Sequence, residues 1–236
     1  MSEENKSDWT PPGTEELVEI LMTGLEGVKK WNAMREEHPE WTPSLFKATL
    51  TEVDLSGINL SNSILSQASL KEIVFVNAKF SGSTMLSADL TGTKMSGASF
   101  DYANLALSNF SKTTFISVNA SRVNLFGANF ERAVFSGSNF RETTFQKASF
   151  VSASLNFCSF VGCNFNLASF CLADLSDTVF SGADLSAASC AGAYVIRTDF
   201  ENADLSGTSF TAVRGLRREY WEACVKATEA SIKFAK

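Results

Sequence analysis

The sequence predicts an all-β solenoid, and three observations predict it. A large apolar residue recurs at every fifth position from Leu45 to Phe210 without insertion, giving 34 consecutive units. They hold sixteen Phe, thirteen Leu and two Met, with Ala120, Cys190 and Val195 as the remainder. Two places before each of these, from Ala48 to Thr208, 31 of 33 residues are Ala, Ser, Thr, Val or Cys, and only Ile58 and Ile73 are larger. Third, neither regular element can use such a period. Five residues turn an α-helix by roughly 500°, so the apolar groups would girdle it. On a flat strand an odd period sends alternate side chains to opposite faces. The pattern fits very short extended segments joined by a bend every five residues and coiling about one axis. Self-similarity at a fixed period marks a solenoid, whose coils bury their apolar sides against each other.

We denote the large residue i. The pair i−2 and i points inward, and i−1, i+1 and i+2 point out. Ala120 is the one small residue in its column between Phe100 and Phe140, twenty residues to either side. This predicts a local contraction or cavity, and room for a leucine at that position.

The chain has 236 residues, 44 % hydrophobic and 19 % charged, which suits one soluble domain. Taken in order, residues 1–13 read as a disordered polar tail unlike a signal peptide. Residues 14–44 read as an α-helical cap: Thr14 can N-cap, and Glu15 and Glu16 suit a first turn. Leu17, Leu21, Val28 and Trp31 follow helical spacing, Gly24 and Gly27 can split the run, and Pro39 ends it. Residues 45–213 are the repeats. Residues 214–236 read as a second helical cap, with Leu216, Tyr220, Cys224, Ala227 and Phe234 on one stripe. Caps are expected because an open solenoid exposes core and unpaired backbone at its ends. No apolar run approaches the ~20 residues that span a membrane, so a cytoplasmic location is the expectation.

Units such as "SADLT" (87–91), "GANFE" (127–131), "LADLS" (172–176), "GADLS" (182–186) and "NADLS" (202–206) resemble the A(D/N)LXX motif of pentapeptide-repeat proteins. The resemblance implies a right-handed quadrilateral β-helix of about 20 residues per coil. Here that means about 8.5 coils, with α-helical caps at both ends.

The chemistry of catalysis is missing from the sequence. His38 is the only imidazole, placed in "EEHPE" at a helix end where exposure to solvent is expected. Glu52/Asp54 and Glu201/Asp204 lie on outward positions, and no Walker or GxGxxG loop is present. Cys158, Cys163 and Cys190 fall on inward positions as small apolar fillers, with no CxxC spacing. The expectation is a non-enzymatic protein with no metal and no cofactor.

Two functions remain. One is a rigid scaffold that offers flat faces to a protein partner or to a second copy. The other is implied by the resemblance: some members of the family mimic B-form DNA and protect DNA gyrase from topoisomerase poisons. Mimicry needs an acidic field, because DNA carries one charge per ~1.7 Å. Residues 45–213 have a net charge of only −3, with alternating pairs such as Glu131/Arg132 and Arg141/Glu142. No loop breaks the frame, so gyrase is the disfavoured alternative, and no direct nucleic-acid or membrane binding is expected. The candidate interaction patch is a ladder on one side, with Leu86, Ala106 and Phe126 at i+1 and Leu107 and Leu167 at i+2.

Overall fold

The structure, a computed structural model, describes residues 9–215. Parallel β-bridges join residues twenty apart along the whole repeat, from Ser44 with Ile64 to Tyr194 with Arg214, four to each twenty-residue turn of the chain. Each turn therefore has four sides, and the sides stack into a β-helical rod. Four segments are long enough to be strands: β1 (Thr114–Ile116), β2 (Asn119–Ser121), β3 (Val134–Ser136) and β4 (Asn139–Arg141). β1 pairs with β3 and β2 with β4, in parallel and in the same twenty-residue register.

Backbone hydrogen bonding explains why five residues close one side. The N–H of residue i donates to the coil above, as Leu60 does to Lys79 at 2.8 Å, and the N–H of i+2 does so again, as Asn62 does to Ser81 at 2.9 Å. The N–H of i−1 donates to the coil below, as Lys79 does to Ile58 at 2.9 Å. The N–H of i+3 closes the corner on the carbonyl of i, as Ala128 does on Leu125 at 3.1 Å. Only the N–H of i+1 is left over. An Asp or Asn at i−1 takes it, as in Asp204 Oδ1 with Ser206 N at 2.9 Å and Asn129 Oδ1 with Glu131 N at 3.0 Å. A serine at i+1 adds its hydroxyl to the same carboxylate, as Ser186 does on Asp184 at 2.6 Å. This is the physical content of the "DLS" units: an Asx-type turn satisfies the one backbone donor that the ladder does not use.

Every corner takes a left-handed residue at i+2. All 34 such positions have φ between +52° and +74°, and 24 of them are not glycine. An L-residue in this region is disfavoured sterically. At most corners an inter-coil bond from its own N–H holds it there, as Asn62 N does with Ser81 O.

The core is the set of inward columns. All 34 residues at i are at most 4 % exposed. Phenylalanines stack ring on ring along the axis, as in Phe145 on Phe165 at 4.8 Å and Phe115 on Phe135 at 4.6 Å. Hydroxyls at i−2 are buried too, and several donate to a corner carbonyl of the coil below, 23 residues back: Thr178 to Leu155 at 2.7 Å, Thr208 to Leu185 at 2.7 Å. The gap at Ala120 leaves an apolar cavity of about 10 Å³, whose lining includes Phe100, Phe140 and Val123. It is smaller than the three carbons that a leucine would add, so the expected room for that side chain has mostly closed.

The N-terminal segment forms α1 (Thr14–Leu21) and α2 (Leu25–Glu37). Leu17, Leu21, Val28 and Trp31 are buried as their spacing predicts. The break falls at Gly24, which has φ +68°, while Gly27 lies inside α2 against Ile20, where a Cβ would clash with the carbonyl oxygen. Thr14 does not cap α1. Gly13 holds the N-cap position, and the Thr14 hydroxyl instead reaches the Ser44 carbonyl at 3.1 Å.

Helix α2 supplies hydrogen-bond donors to the bare end of the rod. In the coils above, the carbonyls of Lys79 and Ser81 accept from the coil beneath them. Their counterparts Asn59 and Ser61 have no coil beneath. The Trp31 indole donates to Asn59 O at 2.7 Å and Arg35 Nη2 to Ser61 O at 2.9 Å. Asn32 donates to Gly57 O at 3.0 Å and accepts the Asn59 N–H at 2.9 Å. His38 is half-buried rather than free in solvent, because the Trp9 ring stacks on it at 3.7 Å. The expected C-terminal cap, from Leu216 onward, lies outside the described residues.

Candidate interaction surface

The side that carries residues 46, 66, 86, 106 and 126 at i+1 presents an apolar stripe along the rod axis. Phe46, Ile64, Leu86 and Leu107 are exposed there, and Leu107 is the most open at 56 %. Leu107 lies flat because the residue above it is Gly127: a Cβ at that position would come within 2.8 Å of Leu107 Cδ2. Phe126 is half-buried, with the Lys147 ammonium 5.4 Å from its ring centroid. At the other end, Lys47 Nζ stands 5.1 Å from the Phe46 ring centroid. Between Lys47 and Lys147 no outward residue of this side is charged.

The five patch residues named from the ladder divide on inspection. Leu86, Leu107 and Phe126 lie on consecutive coils. Ala106 is only 8 % exposed, because its methyl is too short to rise above its neighbours. Leu167 is exposed but stands apart, since Lys147 and the hydrogen bond from Gln146 to Asn166 (3.0 Å) come between it and Phe126. Phe46 and Ile64 were missed. Phe46 could have been found by continuing the same ladder two coils back. A second group, Ile116, Val134 and Phe157, is exposed on another side where β1 and β3 pair, but it spans fewer coils.

Charge does not gather on any side. Sorted by the twenty-residue register, residues 44–214 give no side an acidic excess greater than one. Several charges pair across coils, as Arg122 does with Glu142 at 2.9 Å and Lys71 with Asp89 at 3.1 Å. Among the described residues no helix is long and apolar enough to cross a membrane. No group of three or more His, Cys, Asp or Glu side chains is placed to hold a metal ion among them either.

A family model for pentapeptide repeats matches in eight copies, over segments that run from residue 44 to residue 214. The chain belongs to the pentapeptide-repeat family. Its stacked coils are those of the right-handed β-helix solenoid of that family. No curated protein matches it by sequence. Among solved structures it is similar to HetL, a pentapeptide-repeat protein involved in heterocyst differentiation regulation from the cyanobacterium Nostoc sp. strain PCC 7120. That match has 21 % identity and TM-score 0.36, covering 77 % of this chain and 93 % of HetL. It is also similar to full-length QnrB1, a plasmid-mediated fluoroquinolone resistance protein, at 18 % identity and TM-score 0.36, covering 76 % and 99 % of the two chains. Rfr23 from the cyanobacterium Cyanothece 51142 is more distant, at 16 % identity and TM-score 0.20, with 53 % and 89 % covered.

Proposed function

We propose that this pentapeptide-repeat chain is a non-enzymatic cytoplasmic scaffold that binds a protein through one side of a rigid rod. The rod has about 8.5 coils over residues 45–213, with a helical cap at 14–44. The observation that carries the reading is the uncharged apolar stripe from Phe46 to Phe126. Scattered exposed apolar residues are ordinary, but a run on consecutive coils marks a surface that is covered in use. Leu107 and Phe126 are its anchors. The balanced charge on every side weighs against a DNA mimic.

The test is the double substitution Leu107→Ser with Phe126→Ser. It is expected to keep the circular dichroism spectrum and melting temperature of the parent while losing partner capture or self-association. Retrieval of the same partners at the same yield would remove the stripe as the interface. Protection of DNA gyrase from a quinolone in a supercoiling assay would overturn the scaffold reading in favour of the mimic.

A further inference from the structure

Resting on the interface reading above, we infer that the occupant of the Phe46–Phe126 stripe is an amphipathic α-helix of a partner protein, laid along the rod axis and acidic at both its ends. Three features of the surface select it.

The first is that no strand can add here. Along each side the backbone donors and acceptors run to the coils above and below, as Leu65 N does to Thr84 O at 2.7 Å and Thr84 N to Ser63 O at 2.9 Å. The side therefore has no free sheet edge, and augmentation by an extended peptide is closed off.

The second is the match of dimensions. Phe46 and Phe126 are four coils apart, about 19 Å at ~4.8 Å per coil. A helix with its side chains is ~10–12 Å across, close to the ~10 Å of a three-residue extended side. Its pitch of ~5.4 Å is near the coil spacing, so one apolar residue per turn meets one coil. The drift is about 0.6 Å per step, which stays within half a coil over the whole stripe.

The third is charge. The stripe ends at each side in a lysine folded over a phenylalanine ring, Lys47 over Phe46 and Lys147 over Phe126. On this side no acidic residue stands between them; the first after Phe46 is Asp184. The two lysines are five coils apart, about 24 Å, the length of roughly 16 helical residues. A helix with Glu or Asp near both ends places each carboxylate beside one ammonium, while its apolar face covers Leu86 and Leu107.

The experiment is fluorescence anisotropy on the intact chain with two labelled helical peptides of about 18 residues. Both carry the same leucine stripe at i, i+3 and i+7 spacing, and their end residues are glutamates in one and lysines in the other. The glutamate-ended peptide is expected to bind at least ~10-fold more tightly, and Lys47→Glu with Lys147→Glu is expected to reverse the preference. Equal affinity for the two peptides, or a preference that the lysine substitutions leave unchanged, overturns the inference. If binding is blind to end charge but is lost in the Leu107→Ser, Phe126→Ser chain, the interface reading stands without it. If that chain binds both peptides as the parent does, the interface reading falls as well. A dimer by light scattering that this substitution converts to monomer assigns the stripe to a second copy and overturns the helix.

Discussion

The Ser138 hydroxyl sits inside the corner of the coil below it: Oγ donates to the Phe115 carbonyl oxygen at 3.0 Å and accepts the Val118 N–H at 3.1 Å. At an ordinary corner, such as Leu125 with Ala128, those two backbone groups bond each other directly. Here a side chain from 23 residues ahead stands between them, next to strands β1 and β3. One hydroxyl thus satisfies two buried backbone groups.

Ser138→Ala is expected to cost about 1–3 kcal/mol, because it strands a buried N–H and a buried C=O together. Ser136→Ala, an outward position two residues earlier, is expected to change stability by less than ~0.5 kcal/mol. Urea denaturation of both variants checks the contrast. Equal small effects would show that the corner closes on itself and that the hydroxyl is dispensable.

The aromatic column gives a prediction with opposite volume changes at neighbouring coils, both of them destabilising. Phe140 is 2 % exposed and packs on Phe135, Phe145 and Phe160, the last stacked at 5.6 Å. Phe140→Ala is expected to cost ~3–5 kcal/mol, from lost transfer energy plus a cavity that the stiff coils cannot close. Ala120→Leu, one coil below, is expected to cost about 1–3 kcal/mol through overpacking, because the cavity of about 10 Å³ is too small for it. A stabilising Ala120→Leu would show that the coil opens more readily than its ladder suggests.

The inward columns were legible because a five-residue frame fixes which side chains share a direction, and Leu45 through Phe210 keep that frame unbroken. The left-handed corners were not. Residues such as Lys47, Arg132 and Glu142 carry no sign of a positive φ, which comes from the inter-coil bond rather than from the residue. Arg35 was equally hidden, since an arginine in a helix reads as solvated, yet it is buried and donates to the carbonyls of Trp41 and Ser61. Thr14 reads as a cap because it precedes an acidic turn, but its hydroxyl found a tertiary acceptor in Ser44. On the stripe, side-chain length decided what the ladder could not: Leu107 stays exposed and Ala106 is buried among its neighbours.

The role of α2 predicts how the rod fails at its first coil. Trp31→Phe keeps the ring packing but removes the donor to Asn59 O, and is expected to cost about 1–2 kcal/mol. Deleting residues 1–40 bares the carbonyls of Gly57, Asn59 and Ser61 and the apolar residues Leu45–Leu60 together. That truncation is expected to associate in a concentration-dependent way in light scattering, since an uncovered coil end is a template for pairing. A monodisperse truncation of parental stability would show that the helices are not needed as a cap.

The buried thiols make the last prediction. Burial pushes the Cys158 thiol up to about 11 and those of Cys163 and Cys190 up to about 12. Cys163 also donates to the Phe140 carbonyl at 3.1 Å, as a serine would at the same inward place. At pH 8 the thiolate fraction of these three is on the order of one in a thousand to one in ten thousand, and the thiolate is the form that reacts. Cys171 is partly exposed at an outward position. Iodoacetamide at pH 8 is therefore expected to alkylate Cys171 in the native protein and the three buried residues only in denaturant, as read by peptide mass spectrometry. The same shifts set a pH dependence. A folded-state value raised above the unfolded ~8.5 stabilises the fold fully below that pH, and the contribution is lost as pH rises towards 11–12. The urea midpoint is accordingly expected to fall between about pH 9 and pH 11, and replacing Cys158, Cys163 and Cys190 together by alanine is expected to flatten that fall. Native alkylation of Cys163 or Cys190 at the rate of Cys171 would show that the coils open locally on the timescale of labelling.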